Sequence, residues 1–258
     1  MNLLIAADIG NSSISIGYFT ASYLFVQRIP THPAKSIEDY RRQMNEFIRE
    51  NNIEKGQYDG IISSVVSGHT EIIAKAIQGL SEIGVAAVII ADHRMSGIGF
   101  KINSPHELGT DRIADAVAAF SLFKKPVIVV DFGTATTITV VDGDGDYIGG
   151  SIMPGIGLMN ESLKEKTSKL DKVEIEAPKA ALGKDTASCI RTGLLIGTAG
   201  AVERIISEIE QETGLVYETV LTGGYAPAVE GFMKRRHVSS AQLTLEGLRV
   251  LYEKNRPQ

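Results

Sequence analysis

Two apolar stretches of the chain end in the same way. Residues 3–7 (Leu-Leu-Ile-Ala-Ala) run into Asp8-Ile9-Gly10-Asn11-Ser12, and residues 127–130 (Val-Ile-Val-Val) run into Asp131-Phe132-Gly133-Thr134-Ala135. Beyond each turn apolar and polar positions alternate, with Ile14 and Ile16 in the first copy and Ile138 and Val140 in the second. An unbroken apolar run marks a strand buried on both faces, and alternation marks a partner strand with one face covered. Residues 3–7 and 13–19 therefore predict a hairpin, and 23–28 a third strand. Residues 36–50 predict a helix, with Ser36 as N-cap, Asp39 three positions on, and Tyr40, Met44 and Phe47 on one face. Buried strands are expected at 61–66 and 85–91, with helical spacing over 70–83 between them. Another helix is predicted over 110–123, where Ile113, Ala116, Val117 and Phe120 share a face. In the second half the pattern gives helices at 156–166 and 187–213, a strand at 219–222 and a last helix at about 240–254.

Alternating strands and helices imply an α/β fold with mixed sheets. Proline-rich or low-complexity linkers are absent, so the halves are expected to divide at a helix crossover near residue 120, as 1–122 and 123–258. At 258 residues and 43% hydrophobic content the chain can bury a substantial core. A net charge of -5 leaves no electrostatic footprint for nucleic acid. The basic run Lys234-Arg235-Arg236 is expected to be solvated. Cys189 is the only cysteine, so neither an internal disulfide nor a zinc cluster is available, and a reducing compartment fits. The first apolar run is interrupted by Asp8 and lacks a basic leader, and no run approaches membrane-spanning length. A cytoplasmic protein without a membrane or nucleic-acid partner is expected.

Common nucleotide and metal motifs are missing. Gly183-Lys184-Asp185-Thr186 lacks the first glycine of a P-loop, and Asp185 takes the place of the hydroxyl. Gly155-Ile156-Gly157-Leu158-Met159-Asn160 fails a dinucleotide fingerprint at its last position. Asp142-Gly143-Asp144-Gly145-Asp146 begins like a calcium loop, but Tyr147 stands where its glycine belongs, so a plain turn is expected. His32, His69, His93, His106 and His237 have no paired metal-ligand spacing.

The candidate chemistry lies in the turns. A buried strand ending in an acid and a glycine turn presents a carboxylate, backbone N–H groups and a small hydroxyl or amide at one point, which suits a polyphosphate and its cation. One Asp-x-Gly turn is a common hairpin. Two, one in each half, point to duplication around a nucleotide. Glu107-Leu108-Gly109-Thr110-Asp111-Arg112-Ile113 sets an acid and an arginine at the first turn of a helix. The acid suits the helix dipole and the arginine a surface ion pair. Beside phosphate-type turns, the same pair suits orienting an alcohol and holding an anion. Gly149-Gly150-Ser151-Ile152-Met153-Pro154-Gly155 and Leu221-Thr222-Gly223-Gly224 supply glycines where backbone can approach a ligand.

Taken in order, Asp8–Ser12, Gly109–Ile113, the Asp-Phe-Gly-Thr-Ala-Thr-Thr run from Asp131 to Thr137, Gly149–Gly155, Gly183–Thr186 and Thr222–Gly224 resemble the motifs of type III pantothenate kinases over essentially the whole chain. The resemblance implies two duplicated actin-like (ribonuclease H-like) domains bracketing ATP. The activity it implies is ATP-dependent phosphorylation of pantothenate, the first step of coenzyme A biosynthesis. It implies that Asp8, Ile9, Gly10, Asn11, Ser12, Ser13, Ile14 and Ser15 form the first phosphate-binding turn. Thr134 would bind ATP, and Asp131 a monovalent cation, K⁺ or NH₄⁺, in addition to the Mg²⁺ that accompanies ATP. Gly109, Thr110, Asp111 and Arg112 would contact pantothenate, with Asp111 as proton acceptor. Thr186 would complete the pantothenate site across the interface of a homodimer. The chain departs from the family at Asn11-Ser12-Ser13, usually Asn-Thr-Asn, at Lys184-Asp185, usually Arg-Asn, and at Ile102, where many members have tyrosine. Rival readings are a superfamily kinase for another small anionic alcohol and a non-catalytic regulatory relative. Retention of Asp8, Asp111 and Asp131 argues against the second.

Overall fold

The computed structural model describes residues 3–20, 23–53, 56–66, 68–81 and 87–256. They form two compact units. The first comprises Met1–Ile98, Asn103–Ala118 and Leu243–Gln258, and the second Gly99–Ile102 and Ala119–Gln242.

In the first unit β1 (Leu3–Ile9), β2 (Ser13–Phe19) and β3 (Leu24–Pro30) form an antiparallel meander. Helix α1 (Ile37–Glu50) leads to β4 (Tyr58–Ser64), and α2 (His69–Gln78) leads toward β5 (Val88–Ile90). Strands β4 and β5 add parallel to β1, giving the order β3-β2-β1-β4-β5. Side chains alternate across a strand, and β1 is apolar on both faces. Ile5, Ala7 and Ile9 pack with Tyr40, Met44, Ile73 and Ile77 of α1 and α2. Leu4 and Ala6 pack on the opposite face with Ala114 and Val117 of α3 (Thr110–Phe123). Ser36 caps α1 as expected, its hydroxyl oxygen accepting the Asp39 N–H at 3.1 Å. Phe47 stacks on Tyr18, ring centroids 5.1 Å apart. Helix α2 stops at Gln78, short of the expected 83; residues 82–86, where its end and the start of the next strand were expected, lie outside the described set.

The second unit repeats the plan. Strands β6 (Val127–Phe132), β7 (Ala135–Val141) and β8 (Tyr147–Pro154) form an antiparallel meander. Helices α4 (Ile156–Lys166) and α5 (Thr186–Thr213) follow. Strands β9 (Glu218–Thr222) and β10 (Val238–Ser239), flanking the short α6 (Ala226–Val229), extend the sheet parallel to β6. The order β10-β9-β6-β7-β8 is that of the first sheet, strand for equivalent strand. Ile128, Val130 and Phe132 pack with Leu194, Val202 and Ile206 of α5. Asp131 therefore faces the other side of the sheet with Val127 and Val129.

Three further features differ from the sequence reading. The last helix, α7 (Leu243–Asn255), belongs to the first unit, whereas the expected division placed everything from 123 on together. Its Leu245, Leu248 and Leu251 cover Leu4, Ala6, Phe19 and Ile61. A Cβ on Gly247 would strike the Ala114 backbone, so glycine sets the approach of α7 to α3. Second, 149–154, read from sequence only as glycines that let backbone approach a ligand, is the body of β8, bulged where Gly149 adopts φ +144°. Third, Lys234 and Arg236 are exposed as expected, but Arg235 between them is half-buried. Its guanidinium binds Glu210 at 2.6 Å and donates to the Tyr217 carbonyl at 2.8 Å, tying the start of β9 to the end of α5. The 142–146 loop is a turn, as expected. Asp142 accepts the Asp144 and Asp146 N–H groups at 3.0 Å, and Lys101 Nζ lies 2.6 Å from Asp142 and 3.0 Å from Asp146.

Candidate functional site

In the first unit Asp8 lies near the C-terminal end of β1, paired with Ser15 of β2 on one side and Ser63 of β4 on the other. By alternation it shares a face with Leu4 and Ala6, the face that α3 covers. The turn closes with Gly10 N–H donating to the Ser13 carbonyl at 3.0 Å, and leaves Asn11, Ser12 and Ser13 exposed. Ile9 and Ile14 are buried beneath it. The motif beginning α3 reaches the same strand ends. Thr110 Oγ1 lies 2.9 Å from Ser63 Oγ and accepts the Ser64 N–H at 3.2 Å. Ser63 is opposite Asp8 in the sheet register, so the Thr110 hydroxyl brings the Asp111-Arg112 pair to the edge that carries the Asp8 turn.

Asp111 occupies the first turn of α3, where its Oδ1 accepts the Arg112 N–H at 2.8 Å. Burial raises its pKa above the usual carboxylate value, and the hydrogen bond and charge of Arg112 offset that rise only in part. A Cβ on Gly109 would collide with Asp111 Oδ1, so the glycine of the motif clears space for the carboxylate. The Gly109 carbonyl accepts the Ile113 N–H at 3.2 Å, starting the helix.

In the second unit the Asp131 turn closes through Gly133 N–H to the Ala135 carbonyl at 3.1 Å. Two other glycine segments converge on it. Gly155 donates to the Thr134 carbonyl at 3.1 Å, and a Cβ there would run into the Gly133 and Thr134 carbonyls. Gly223, at φ +93°, lies against the Asp131 carboxylate and the Phe132 backbone so closely that any side chain would collide. The structure thus joins Asp131, Thr134, Gly155 and Gly223, four positions far apart in sequence. The Asp131 carboxylate, held at a glycine-lined turn, is an oxygen donor of the kind a hard cation takes.

Thr186 is exposed at the start of α5. Asp185 caps that helix, accepting the Ser188 N–H at 2.8 Å, while Ser188 Oγ accepts the Asp185 N–H at 3.1 Å. Thr186 lines a groove of about 1170 Å³ with Leu158, Met159, Cys189, Ile190 and Leu194 of α4 and α5. The Asp131 turn does not line that groove. Sequence reasoning missed Ser63, Ser64, Thr31 and His69, the polar residues that hold the first-unit turn and motif in place. None stands in a pattern; only Ser63 and Ser64, at the end of an apolar run, carried any signal.

A family model described as type III pantothenate kinase matches residues 4–208. A type III pantothenate kinase of Moorella thermoacetica is 33% identical over 255 residues, spanning 98% of this chain and 100% of that protein. Among solved structures, a putative 2-dehydro-3-deoxygalactonokinase from Sinorhizobium meliloti aligns with TM-score 0.56 at 15% identity, covering 99% of this chain and 100% of that one. An archaeal actin homologue aligns with TM-score 0.54 at 11% identity, covering 98% and 100%. These structural likenesses concern the fold: two mixed five-stranded sheets flanked by helices.

Proposed function

The chain belongs to the type III pantothenate kinase family and so phosphorylates pantothenate with ATP in coenzyme A biosynthesis; on that premise we propose that Asp111 is its base and Arg112 its carboxylate anchor. The observation that carries this is the tie from Thr110 to Ser63 and Ser64, which sets the Asp111 helix end beside the Asp8 strand. Asp111 accepts the proton of the pantothenate primary hydroxyl as phosphoryl transfer proceeds. Its raised pKa makes it a stronger base than an ordinary carboxylate. Arg112 pairs with the pantothenate carboxylate, placing a local positive charge on a chain of net charge -5. Residues 8–15 cradle ATP phosphates, and Thr134 contacts ATP. Phosphoryl transfer proceeds through a loose transition state, so positioning and charge neutralisation provide most of the acceleration. Mg²⁺ bound to ATP supplies charge neutralisation at the phosphates.

Asp131 would hold K⁺ or NH₄⁺, which offsets repulsion between its carboxylate and phosphate. Thr186 would act within a homodimer. The groove beside it is apolar and Leu158 on its wall is 45% exposed, a surface suited to cover by a second copy. Among the described residues no helix is long and apolar enough to cross a membrane, and a cytoplasmic location fits an ATP-dependent enzyme. The test is a coupled ADP-release assay on purified protein with pantothenate and other small alcohols, with and without K⁺. Pantothenate-dependent ADP release is expected. Its absence, or faster turnover with another alcohol, would sink the reading.

A further inference from the structure

Behind the first turn sits a residue that no motif singled out. Thr31 follows β3 and is fully buried. Its hydroxyl donates to the Gly10 carbonyl at 2.7 Å, and its backbone N–H donates to the Ser12 carbonyl at 3.2 Å. One residue therefore grips the turn at two of its carbonyls. A trans peptide points its C=O and N–H in opposite directions. Holding the Gly10 carbonyl toward Thr31 thus directs the Asn11 N–H the other way, to the exposed side of the turn. Thr31 is itself held. His69, buried at the start of α2, has Nε2 3.1 Å from the Thr31 carbonyl. A carbonyl can only accept, so Nε2 carries the proton.

We infer that Thr31 is a positioning residue for ATP: it fixes the phosphate-facing conformation of residues 10–13 from behind, with His69 as its anchor. This rests on the reading of residues 8–15 as the phosphate turn. A hydroxyl with one acceptor in reach and no solvent has a single low-energy orientation, so the turn is set before ATP arrives and little ordering remains for binding. Thr31 touches neither substrate nor metal; it acts through Gly10 and Ser12.

The test compares steady-state constants for wild type and the variants Thr31→Val, Thr31→Ser and Ser12→Ala, with circular dichroism and thermal melting as controls on folding. Thr31→Val keeps the shape and removes the donor. It should raise the KM for ATP by roughly tenfold, the effect of one lost buried hydrogen bond, with the KM for pantothenate changed less than twofold. Thr31→Ser retains the hydroxyl and should stay near wild type. A merely structural role would lower the melting temperature without separating the two KM values. Ser12→Ala tests the underlying reading. If it leaves the ATP KM unchanged, the turn does not bind phosphate and the inference falls with it. If Ser12→Ala raises the ATP KM while Thr31→Val does not, the turn stands and the role of Thr31 is refuted. If Thr31→Val fails to fold, equilibrium ATP-analogue affinity of His69→Gln, which keeps an N–H donor, against His69→Leu gives the same contrast; equal affinities overturn the inference.

Discussion

At the scale of single residues, Asp111 joins stability and catalysis with opposite signs. Its pKa is raised in the folded state by burial. An acid of this kind opposes folding above its folded pKa, where the charge must be desolvated, and that penalty fades as pH falls through the folded value. Asp111→Asn should therefore melt higher than wild type at pH 7–8, the gap closing toward pH 4, while kcat falls by about 10²–10⁴-fold. A lower melting temperature at pH 8 with kcat retained would contradict both halves. Arg112→Lys should raise the pantothenate KM about 10- to 100-fold with little change for ATP, because lysine cannot make the bidentate pair. Pantothenol, lacking the carboxylate, should be a poor substrate for wild type, which a direct kinetic comparison checks. The three aspartates were legible in the sequence because an acid closing an apolar strand, or opening a helix, breaks a pattern. Thr31 and His69 were not, since a threonine after a proline and a lone histidine look the same whether they hold a turn or fill a loop.

At the scale of elements, Gly223 is the clearest constraint. It combines φ +93° with contact against the Asp131 carboxylate, so Gly223→Ala meets both backbone strain and collision. A loss of about 1–3 kcal/mol in stability is expected, together with a higher K⁺ requirement if Asp131 holds the cation; urea denaturation and a K⁺ titration measure the two. Elements with strong periodicity were readable nearly to the residue. Helix α3 begins at Thr110 and ends at Phe123 as its apolar face predicts, and the 28-residue α5 was visible as one unbroken helix. Strand β8 was hidden because Gly149 and Gly150 weaken any strand pattern and only the pairing with β7 reveals it. Arg235 was misjudged for a related reason. A basic run has no periodicity, and its burial depends on Glu210, twenty-five positions away.

At the scale of the molecule, the repeated sheet order was foreshadowed by the two Asp-x-Gly turns, which stand on equivalent strands β1 and β6. Light scattering on active enzyme should give a dimer mass, and Thr186→Ala should raise the pantothenate KM; a monomer with full activity would remove the shared site. The ownership of α7 was beyond sequence, because an amphipathic stripe says that a helix covers something without saying which sheet. Leu245, Leu248 and Leu251 belong to the same face of the first sheet as Asp8, yet all of Ala119–Gln242 is synthesised between that sheet and its cover. At about 5–20 residues per second, on the order of ten seconds of translation separates the two. A nascent chain on the ribosome therefore holds a complete second unit while the first, with α3 already packed on Leu4 and Ala6, still shows water the apolar surface beside them that α7 will cover. Premature termination before Leu243 would leave that surface bare for good, a fragment with one finished half and one suited to capture by chaperones and proteases.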